Sequence, residues 1–393
     1  MGKSKKMDKL IESVEKEVIG WRRHFHQNPE LSFEETETSQ FIYDTLLSLG
    51  NMTVSRPTKT SVVARLIGAK PGKVIAFRAD IDALPIQEEN DLPYKSKNDG
   101  VMHACGHDGH TAVLLGAAKI MSHFKEEMSG EVRFIFQHAE EIPPGGAYEM
   151  VKAGVMEGVD EVYAIHIMAL APIGKIDVAS GIASSGNDAF KIKIQGKGGH
   201  SSMPNEAIDP IVIGSEIVSN LQHIVSRQIN PYERVVVSVT KFHAGDTYNI
   251  IPDIVELEGS VRTFKPEIRK EIPVLMERII KGICEAHGAT YKFDYNYGYD
   301  MIKNNGDVTK FVEETIVNTF GVETLRITEP MMASEDFSAF ANEAPGCFVI
   351  VGAKNEEKGI IYPHHHPRFN IDENSLNIAL EYFVSIASGR VLL

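Results

Sequence analysis

Short apolar strands that alternate with helices are the feature that most constrains the fold of this chain. In the first half, strands are predicted at residues 62–67, 74–77, 132–137 and 162–165, and helices at 7–27 and 111–124. This alternation is typical of an α/β domain built on a mostly parallel sheet. Because ligands bind at the carboxyl ends of the strands in such sheets, we expect functional side chains directly after them.

The pattern changes at about residue 184. Strands are then predicted at 189–194, 235–240, 254–261 and 291–297, with helices at 208–224 and 268–287. This βαββαβ order is the ferredoxin-like arrangement. Helices and a strand resume at 308–320, 348–351 and 376–387. We therefore predict an α/β/α catalytic domain with a mostly parallel sheet at 1–183 and 297–393, and an inserted ferredoxin-like α+β domain at 184–296.

Charge and hydropathy argue against several classes of partner. The net charge of the 393 residues is −14, so the chain lacks the broad basic field that attracts nucleic acid or anionic membranes. No apolar run reaches the roughly 18 residues of a membrane-spanning helix. Charged residues continue through the first helix, unlike a signal peptide. We expect a cytoplasmic protein with no nucleic-acid or membrane partner.

The sequence Met-His-Ala-Cys-Gly-His-Asp-Gly-His at residues 102–110 is the strongest local signal of a metal site. Thiolate and imidazole both bind divalent metals such as zinc, and Cys105 and His107 can chelate one ion from a turn. The alternatives are a structural zinc site or a buried cysteine beside surface histidines. A structural zinc site usually needs further cysteines nearby, and Cys284 and Cys347 are far along the chain, so we favour an open site.

Two adjacent carboxylates, Glu140 and Glu141, follow the predicted strand at 132–137. Such a pair is costly to bury unless a cation holds it, and one carboxylate could bind metal while the other acts on the attacking water. The alternative is a solvated pair on a loop, which would be preferred for an isolated Glu-Glu. Because this pair follows a strand and precedes the Gly145-Gly146 turn, the metal-site interpretation gains support relative to the loop interpretation.

Two further histidine segments could complete the site. His166 follows the strand at 162–165, although a single histidine there is more often a core residue. Among His364, His365 and His366, alternation predicts that the middle ring points opposite to the others, so one or two could be ligands; a surface loop is the alternative. Together these segments offer more ligands than one ion needs, which favours metal-assisted hydrolysis.

With these segments, six more motifs give the chain a family resemblance over nearly its whole length. They lie at residues 22–33, 78–85, 198–202, 249–252, 259–262 and 334–337. The chain resembles the aminoacylase and carboxypeptidase superfamily of co-catalytic metallopeptidases. Within it, the chain is most similar to bacterial N-acyl-amino-acid amidohydrolases, hippurate hydrolases and plant auxin-conjugate hydrolases.

The resemblance implies roles for individual residues. It implies two divalent ions, zinc or manganese, held by Cys105, His107, Glu141, His166 and His365, with Cys105 able to bridge them. Glu140 matches the general base, and Asp82 a supporting carboxylate. Asp80 stands where other branches carry a metal-binding histidine, so we do not count it as a ligand.

The resemblance also implies roles within the inserted domain. His200 matches a histidine that reaches the partner subunit's site and helps to hold the substrate carbonyl, which implies a homodimer formed through a lid and dimerisation domain. Asn249 and Arg262 match substrate-contacting positions, and an arginine suits a free carboxylate. From the residues alone, His200 would be a turn residue and Arg262 a member of a surface ion pair.

The predicted function is hydrolysis of N-acyl amino acids, such as N-acetyl or N-benzoyl derivatives. A metallo-carboxypeptidase or dipeptidase with the same two-metal centre is the alternative, because the bond is the same and only the pocket differs. A non-catalytic binding protein or a structural metal protein would not need Glu140 as a base.

Overall fold

The computed structural model describes residues 5–392. Its helices are α1 (Lys5–Gln27), α2 (Thr36–Ser48), α3 (His107–Ser122), α4 (Gly146–Lys152), α5 (Pro210–His223), α6 (Pro266–His287), α7 (Gly306–Phe320), α8 (Ser338–Glu343) and α9 (Asn374–Val391). Its strands are β1 (Thr53–Ser55), β2 (Val62–Ile67), β3 (Lys70–Asp80), β4 (Ser129–Gln137), β5 (Glu161–Pro172), β6 (Ile176–Val178), β7 (Gly186–Gln195), β8 (Gly199–His200), β9 (Val235–Ala244), β10 (Ile250–Ile251), β11 (Ile254–Thr263), β12 (Thr290–Tyr297), β13 (Leu325–Ile327) and β14 (Gly346–Lys354). These residues form two compact units, the first containing 5–183, 302–330 and 335–392, the second 184–301 and 331–334.

The first unit is built on an eight-stranded sheet in the order β1-β2-β4-β3-β5-β14-β6-β13. The central neighbours β4, β3, β5 and β14 are parallel to one another, as are β6 and β13. The pairs β1–β2, β2–β4 and β14–β6 are antiparallel. The prediction of an α/β domain with a mostly parallel sheet is confirmed.

Close packing of α3 against its neighbours fixes the helix that begins with His107. A Cβ added to Gly116 would lie 2.6 Å from a methyl group of Val18 on α1 and 3.0 Å from one of Leu380 on α9. Only glycine allows these helices to approach so closely. Because almost every residue of α3 is buried, its first turn is held rigidly against the sheet.

The ends of the parallel strands bring the polar loops together. Strand β3 ends at Asp80 and β4 at Gln137, and these two residues are register partners. Strand β5 pairs with β3 only over residues 161–164, and then continues along β14. The segments that follow β3 and β4 therefore emerge at one edge of the sheet, beside the unpaired side of β5.

The second unit contains an antiparallel sheet in the order β12-β7-β11-β9. With α5 and α6 it forms the βαββαβ arrangement, so the predicted ferredoxin-like fold is confirmed. Residues 298–301 and 331–334 also belong to this unit, since the Gly298 amide donates to Asp188 at 3.1 Å and the Ser185 hydroxyl to the Met332 carbonyl at 2.8 Å. Its roles as lid and dimer interface stay predictions.

None of the helices within residues 5–392 combines the length and apolarity that crossing a membrane requires.

Phe77 offers a test of the first unit's core. Its ring is fully buried and contacts the rings of Phe134, Tyr163 and Phe383. We expect Phe77→Ala to lower the free energy of unfolding by about 3–5 kcal/mol, because it removes a large buried ring. Urea unfolding measures the change, and Val322→Ala, at a residue 71% exposed, is the control, expected within about 0.5 kcal/mol of wild type. Equal urea midpoints for the two variants would contradict the description of Phe77 as a packed core residue.

Candidate metal centre

Side chains from separate loops of the first unit converge at the carboxyl edge of its sheet. One ligand atom each from Cys105, His107 and Glu141 lie within 4.8 Å of one another. The His166 Nε2 atom lies 4.0 Å from the Cys105 sulfur, and His365 Nε2 lies 3.4 Å from Glu141 Oε1. The structure thus brings together the residues that the family resemblance implied as ligands.

His107 is oriented by its own backbone turn and by Asp82. The preceding Gly106 has a φ of 89°, a left-handed conformation that glycine adopts readily. The His107 Nδ1 atom lies 3.0 Å from the Asp82 carbonyl and 3.2 Å from its carboxylate. Nδ1 therefore donates to Asp82, which leaves Nε2 facing the cluster, the orientation of a metal-binding histidine.

Two buried atoms of the cluster lack hydrogen-bond partners, and they test whether a cation fits there. They are His107 Nε2 and Glu141 Oε1, and they lie 3.8 Å apart. A polar atom left unpaired in the interior is costly. Zinc bonds to nitrogen and oxygen are about 2.0–2.2 Å long, so one ion between the two atoms would satisfy both. The donor set and the unpaired atoms therefore fit a divalent metal.

Asp82 supports two of the candidate ligands through hydrogen bonds. Its carboxylate accepts hydrogen bonds from the Glu141 amide at 3.0 Å and from the Ser32 hydroxyl at 2.6 Å, besides the His107 ring. Although burial alone would raise the pKa of Asp82, these hydrogen bonds outweigh it and lower the pKa. Asp82 is thus an anionic support that links the Glu141 backbone to the His107 ring.

Glu140 lies beside other carboxylates in a buried environment. Ala139 has a φ of 50°, a left-handed conformation that is uncommon outside glycine and that turns the chain sharply after β4. Oxygens of Glu140, Glu335 and Asp336 lie within 4.8 Å of one another. Burial raises the pKa of Glu140 well above its usual value, and the negative charges of Glu335 and Glu141 raise it further. A carboxyl group with a raised pKa is suited to accepting and returning a proton near neutral pH.

A buried arginine neutralises part of this negative charge. The guanidinium of Arg78 donates to Asp80 at 2.7 Å and to Glu335 and Asp336 at 2.8 Å each, and its Nε donates to Gln137 at 2.6 Å. Buried ions persist only when paired and hydrogen-bonded in this way. Arg78 therefore fixes the carboxylates that surround Glu140.

Both oxygens of Asp80 are engaged, although Asp80, His107 and His110 also offer one possible ligand atom each within 4.8 Å of one another. One oxygen accepts from Arg78, and the other lies 2.6 Å from His110 Nδ1. Burial alone would raise the pKa of Asp80, but His107, His110 and Arg78 hold it well below its usual value. The omission of Asp80 from the ligand set therefore stays a prediction.

The three consecutive histidines do not follow the predicted alternation. His365 has a φ of 63°, and this reversal turns His364 towards the Cys105 sulfur at 3.6 Å while His365, about half exposed, lies against Glu141. His366 instead stacks on Tyr362. Alternation applies to extended chain, and the left-handed residue breaks it, so both His364 and His365 face the candidate centre.

Electrostatics at the centre favour a bound cation. Burial raises the pKa of the Cys105 thiol well above its usual value, and the charge of Glu141 raises it further. Burial alone would lower the pKa of His107, but Asp80, Asp82 and Glu141 raise it to about 10. The centre thus attracts positive charge, and a coordinated metal would keep the thiol deprotonated.

Three predicted residues lie in the second unit. His200 is on β8, where its Nδ1 accepts from the Ser202 amide at 3.2 Å, and β8 pairs with β10 directly after Asn249. The Asn249 side chain accepts from Thr247 at 3.0 Å. Arg262, on β11, donates to the Ser334 hydroxyl at 2.9 Å. Within this unit the structure therefore brings His200 and Asn249 close together and places Arg262 on the central sheet.

Sequence reasoning left several participants without a role: Arg78, His110, Glu335 and His364. Arg78 and Glu335 lie in motifs that carried the resemblance, but their pairing spans 257 residues and no local pattern reveals it. His110 stands one helical turn after His107, a spacing that places both rings on one face. His364 could have been found only by recognising the left-handed turn at His365.

Comparison with known proteins identifies the family. Residues 76–388 match the model of Peptidase family M20/M25/M40. An N-acyl-L-amino acid amidohydrolase from Geobacillus stearothermophilus is 57% identical over 296 residues, covering 75% of this chain and 80% of the relative. Thermostable carboxypeptidase 2 from Saccharolobus solfataricus is 43% identical over 376 residues, 95% of each protein.

A solved structure agrees with these relatives. A dinuclear metal-binding peptidase of the M20 family from Bacillus subtilis matches with a TM-score of 0.83 and 37% identity, covering 96% of this chain and 98% of that one. The predicted resemblance to co-catalytic metallopeptidases is confirmed. The chain belongs to Peptidase family M20/M25/M40 and is a hydrolase of that family.

Proposed function

We propose that this chain is a metal-dependent amidohydrolase that cleaves N-acyl amino acids, such as N-acetyl or N-benzoyl derivatives, to a carboxylate and a free amino acid. The observation that carries the proposal is the buried Glu140 beside a converging set of thiol, imidazole and carboxyl groups that could bind a metal. A binding protein needs no such base. The Geobacillus relative, named for this activity, supports the same substrate class.

The proposed centre takes two divalent ions, zinc or manganese, held by Cys105, His107, Glu141, His166 and His365. Cys105 belongs to two groups of possible ligands, one with His107 and Glu141 and the other with His166 and His364, so its sulfur would be placed to serve both ions. When bound, such ions lower the pKa of water and polarise the substrate carbonyl.

Glu140 is the proposed general base. It takes a proton from the attacking water as the oxygen bonds to the acyl carbon, and it returns that proton to the nitrogen as the amide bond breaks. Arg78 holds Glu335 and Asp336 beside it, so the surrounding charge is fixed before substrate arrives. Asp82 acts in the proposal as the support that keeps His107 and Glu141 oriented.

The second unit, residues 184–296 in the sequence-based division, is the proposed lid and dimerisation domain. In a homodimer, His200 of the partner subunit would help to hold the carbonyl oxygen of the substrate. Asn249 and Arg262 are the proposed substrate contacts. Burial lowers the pKa of Arg262, and its guanidinium enters none of the ion pairs within residues 5–392, so it suits an incoming carboxylate better than the alternative of a surface ion pair.

A metallo-carboxypeptidase or dipeptidase with the same centre is the second candidate. The relative from Saccharolobus solfataricus, named a carboxypeptidase, favours it. The two functions share one bond type and differ in what fills the acyl side of the pocket. For either function, we propose a cytoplasmic enzyme acting on small molecules, with no nucleic-acid or membrane partner.

A substrate panel tests the leading proposal. Purified protein is dialysed against a chelator, reloaded with Zn²⁺ or Mn²⁺, and assayed with N-acetyl and N-benzoyl amino acids and with dipeptides. We expect activity to disappear with the metal, to return on reloading, and to be highest on N-acyl amino acids. Turnover of dipeptides alone would select the second candidate, and activity indifferent to chelator would refute a metal-dependent mechanism.

Glu140→Gln tests whether Glu140 is the general base and Glu141 the metal ligand. The amide cannot accept the proton, so we expect turnover to fall by about 10²–10⁴-fold while the metal content, measured by elemental analysis, stays unchanged. Glu157→Gln, at an exposed turn of the first unit, is the matched control. A Glu140→Gln protein that loses metal but keeps its turnover per ion would show that Glu140 and Glu141 have exchanged roles.

A subunit-mixing experiment tests the role of His200. His200→Ala should lower turnover without changing metal content, because the residue contacts substrate and binds no ion. Mixing His200→Ala and Glu140→Gln proteins should restore activity after subunit exchange, since one site of each mixed dimer receives both intact residues. His243→Ala, at an exposed position on β9 of the same unit, should behave like wild type. No recovery in the mixture would contradict a site shared between subunits.

A further inference from the structure

Strand β5 has an unpaired edge beside the candidate centre. Alternate amides along β5 point to opposite neighbours, and the Val162 amide donates towards β14, to Pro345 at 3.0 Å. The amides of Ile167 and Ala169 therefore point to the opposite edge, where β3 pairing has ended at residue 164. Buried amides need acceptors, and at this edge no strand within residues 5–392 supplies them.

Two histidine rings accept these amides. The Ile167 amide donates to His110 Nε2 at 2.8 Å, and the Ala169 amide donates to His364 Nε2 at 3.1 Å. A ring nitrogen that accepts a hydrogen bond carries no proton. In a neutral imidazole the other nitrogen must then carry it, so in both rings Nδ1 is fixed as the N–H donor.

The two Nδ1 atoms face two hydrogen-bond acceptors. His110 Nδ1 lies 2.6 Å from Asp80, and His364 Nδ1 lies 3.6 Å from the Cys105 sulfur. A nitrogen that already carries a proton has no lone pair for a metal. His364 thus differs from His107, whose Nδ1 donates to Asp82 and whose Nε2 is unpaired.

We infer that His364 is not a metal ligand but a positioning residue that donates an N–H···S hydrogen bond to the Cys105 thiolate and thereby sets the electron density on that sulfur. The inference deepens the proposed function, because it depends on Cys105 being a ligand there. Groups that hydrogen-bond to ligands orient them and tune the metal. His364 is suited to donating this hydrogen bond because the Ala169 amide of β5 donates to its Nε2 atom, which fixes both the tautomer and the orientation of the ring.

Cobalt spectroscopy of the whole 393-residue chain tests the inference without substrate. Co²⁺ bound by a thiolate gives a near-ultraviolet charge-transfer band whose energy depends on hydrogen bonding to the sulfur. Loss of the His364 donor raises the energy of the sulfur lone pairs, so the band should move to longer wavelength. Metal affinity should fall by about 10–100-fold, as is usual for partners of ligands, with unchanged ion stoichiometry.

Matched variants separate the two hydrogen bonds of the ring. His364→Asn places an amide NH₂ near the position of Nδ1 and should keep the wild-type band. His364→Gln places its amide near Nε2, retains an acceptor for Ala169 and loses the donor to sulfur, so its band should shift, as should that of His364→Phe. His366→Phe, at the ring that stacks on Tyr362, is the control and should leave the band in place.

The outcomes distinguish this inference from the proposed centre. Loss of an ion in His364→Phe or His364→Gln would show that His364 is a ligand and overturn the inference. An unshifted band in His364→Gln with normal ion content would overturn it as well. Absence of a thiolate band in the wild-type protein would refute the proposed role of Cys105 itself, and the inference with it.

Discussion

A concentration of buried carboxyl groups at the carboxyl edge of the first unit's sheet determines what this site must bind. Asp80, Asp82, Glu140, Glu335 and Asp336 are all buried there. Burying such groups costs several kcal/mol each unless cations and hydrogen bonds compensate them. Arg78 compensates one side of the group. On the other side, the unpaired atoms of His107 and Glu141 are where a metal would supply the remaining positive charge.

The sheet topology explains why these groups meet. Parallel strands end at one edge, so β3 and β4 deliver their following loops to the same place, and α3 begins opposite them. Strands β3 and β5 stop pairing at residue 164 of β5. Later amides of β5 on that edge therefore donate to the His110 and His364 rings. The architecture therefore fixes ring tautomers as well as positions, and the tautomer decides which histidine can bind a metal.

Much of this could be predicted from the sequence because the decisive signals were local. Apolar segments predicted the strands and helices, and the strand end at residue 137 drew attention to Glu140 and Glu141. The role of His166 came from the family resemblance, and this residue lies within β5, whereas the sequence predicted that it follows a strand. The structure could not be predicted where the determinants were distant or conformational. The pairing of Arg78 with Glu335 joins residues far apart in the chain, and the left-handed φ of His365 overrides alternation. The tautomer of His364 depends on an amide of another strand.

We propose that Cys105, His107 and Glu141 hold a catalytic metal beside Glu140. Diffraction data collected on either side of the zinc or manganese absorption edge, from crystals of metal-loaded protein, test it most directly. We expect an anomalous peak at bonding distance from the Cys105 sulfur, His107 Nε2 and Glu141 Oε1. A fully loaded crystal whose anomalous peaks all lie elsewhere would contradict it.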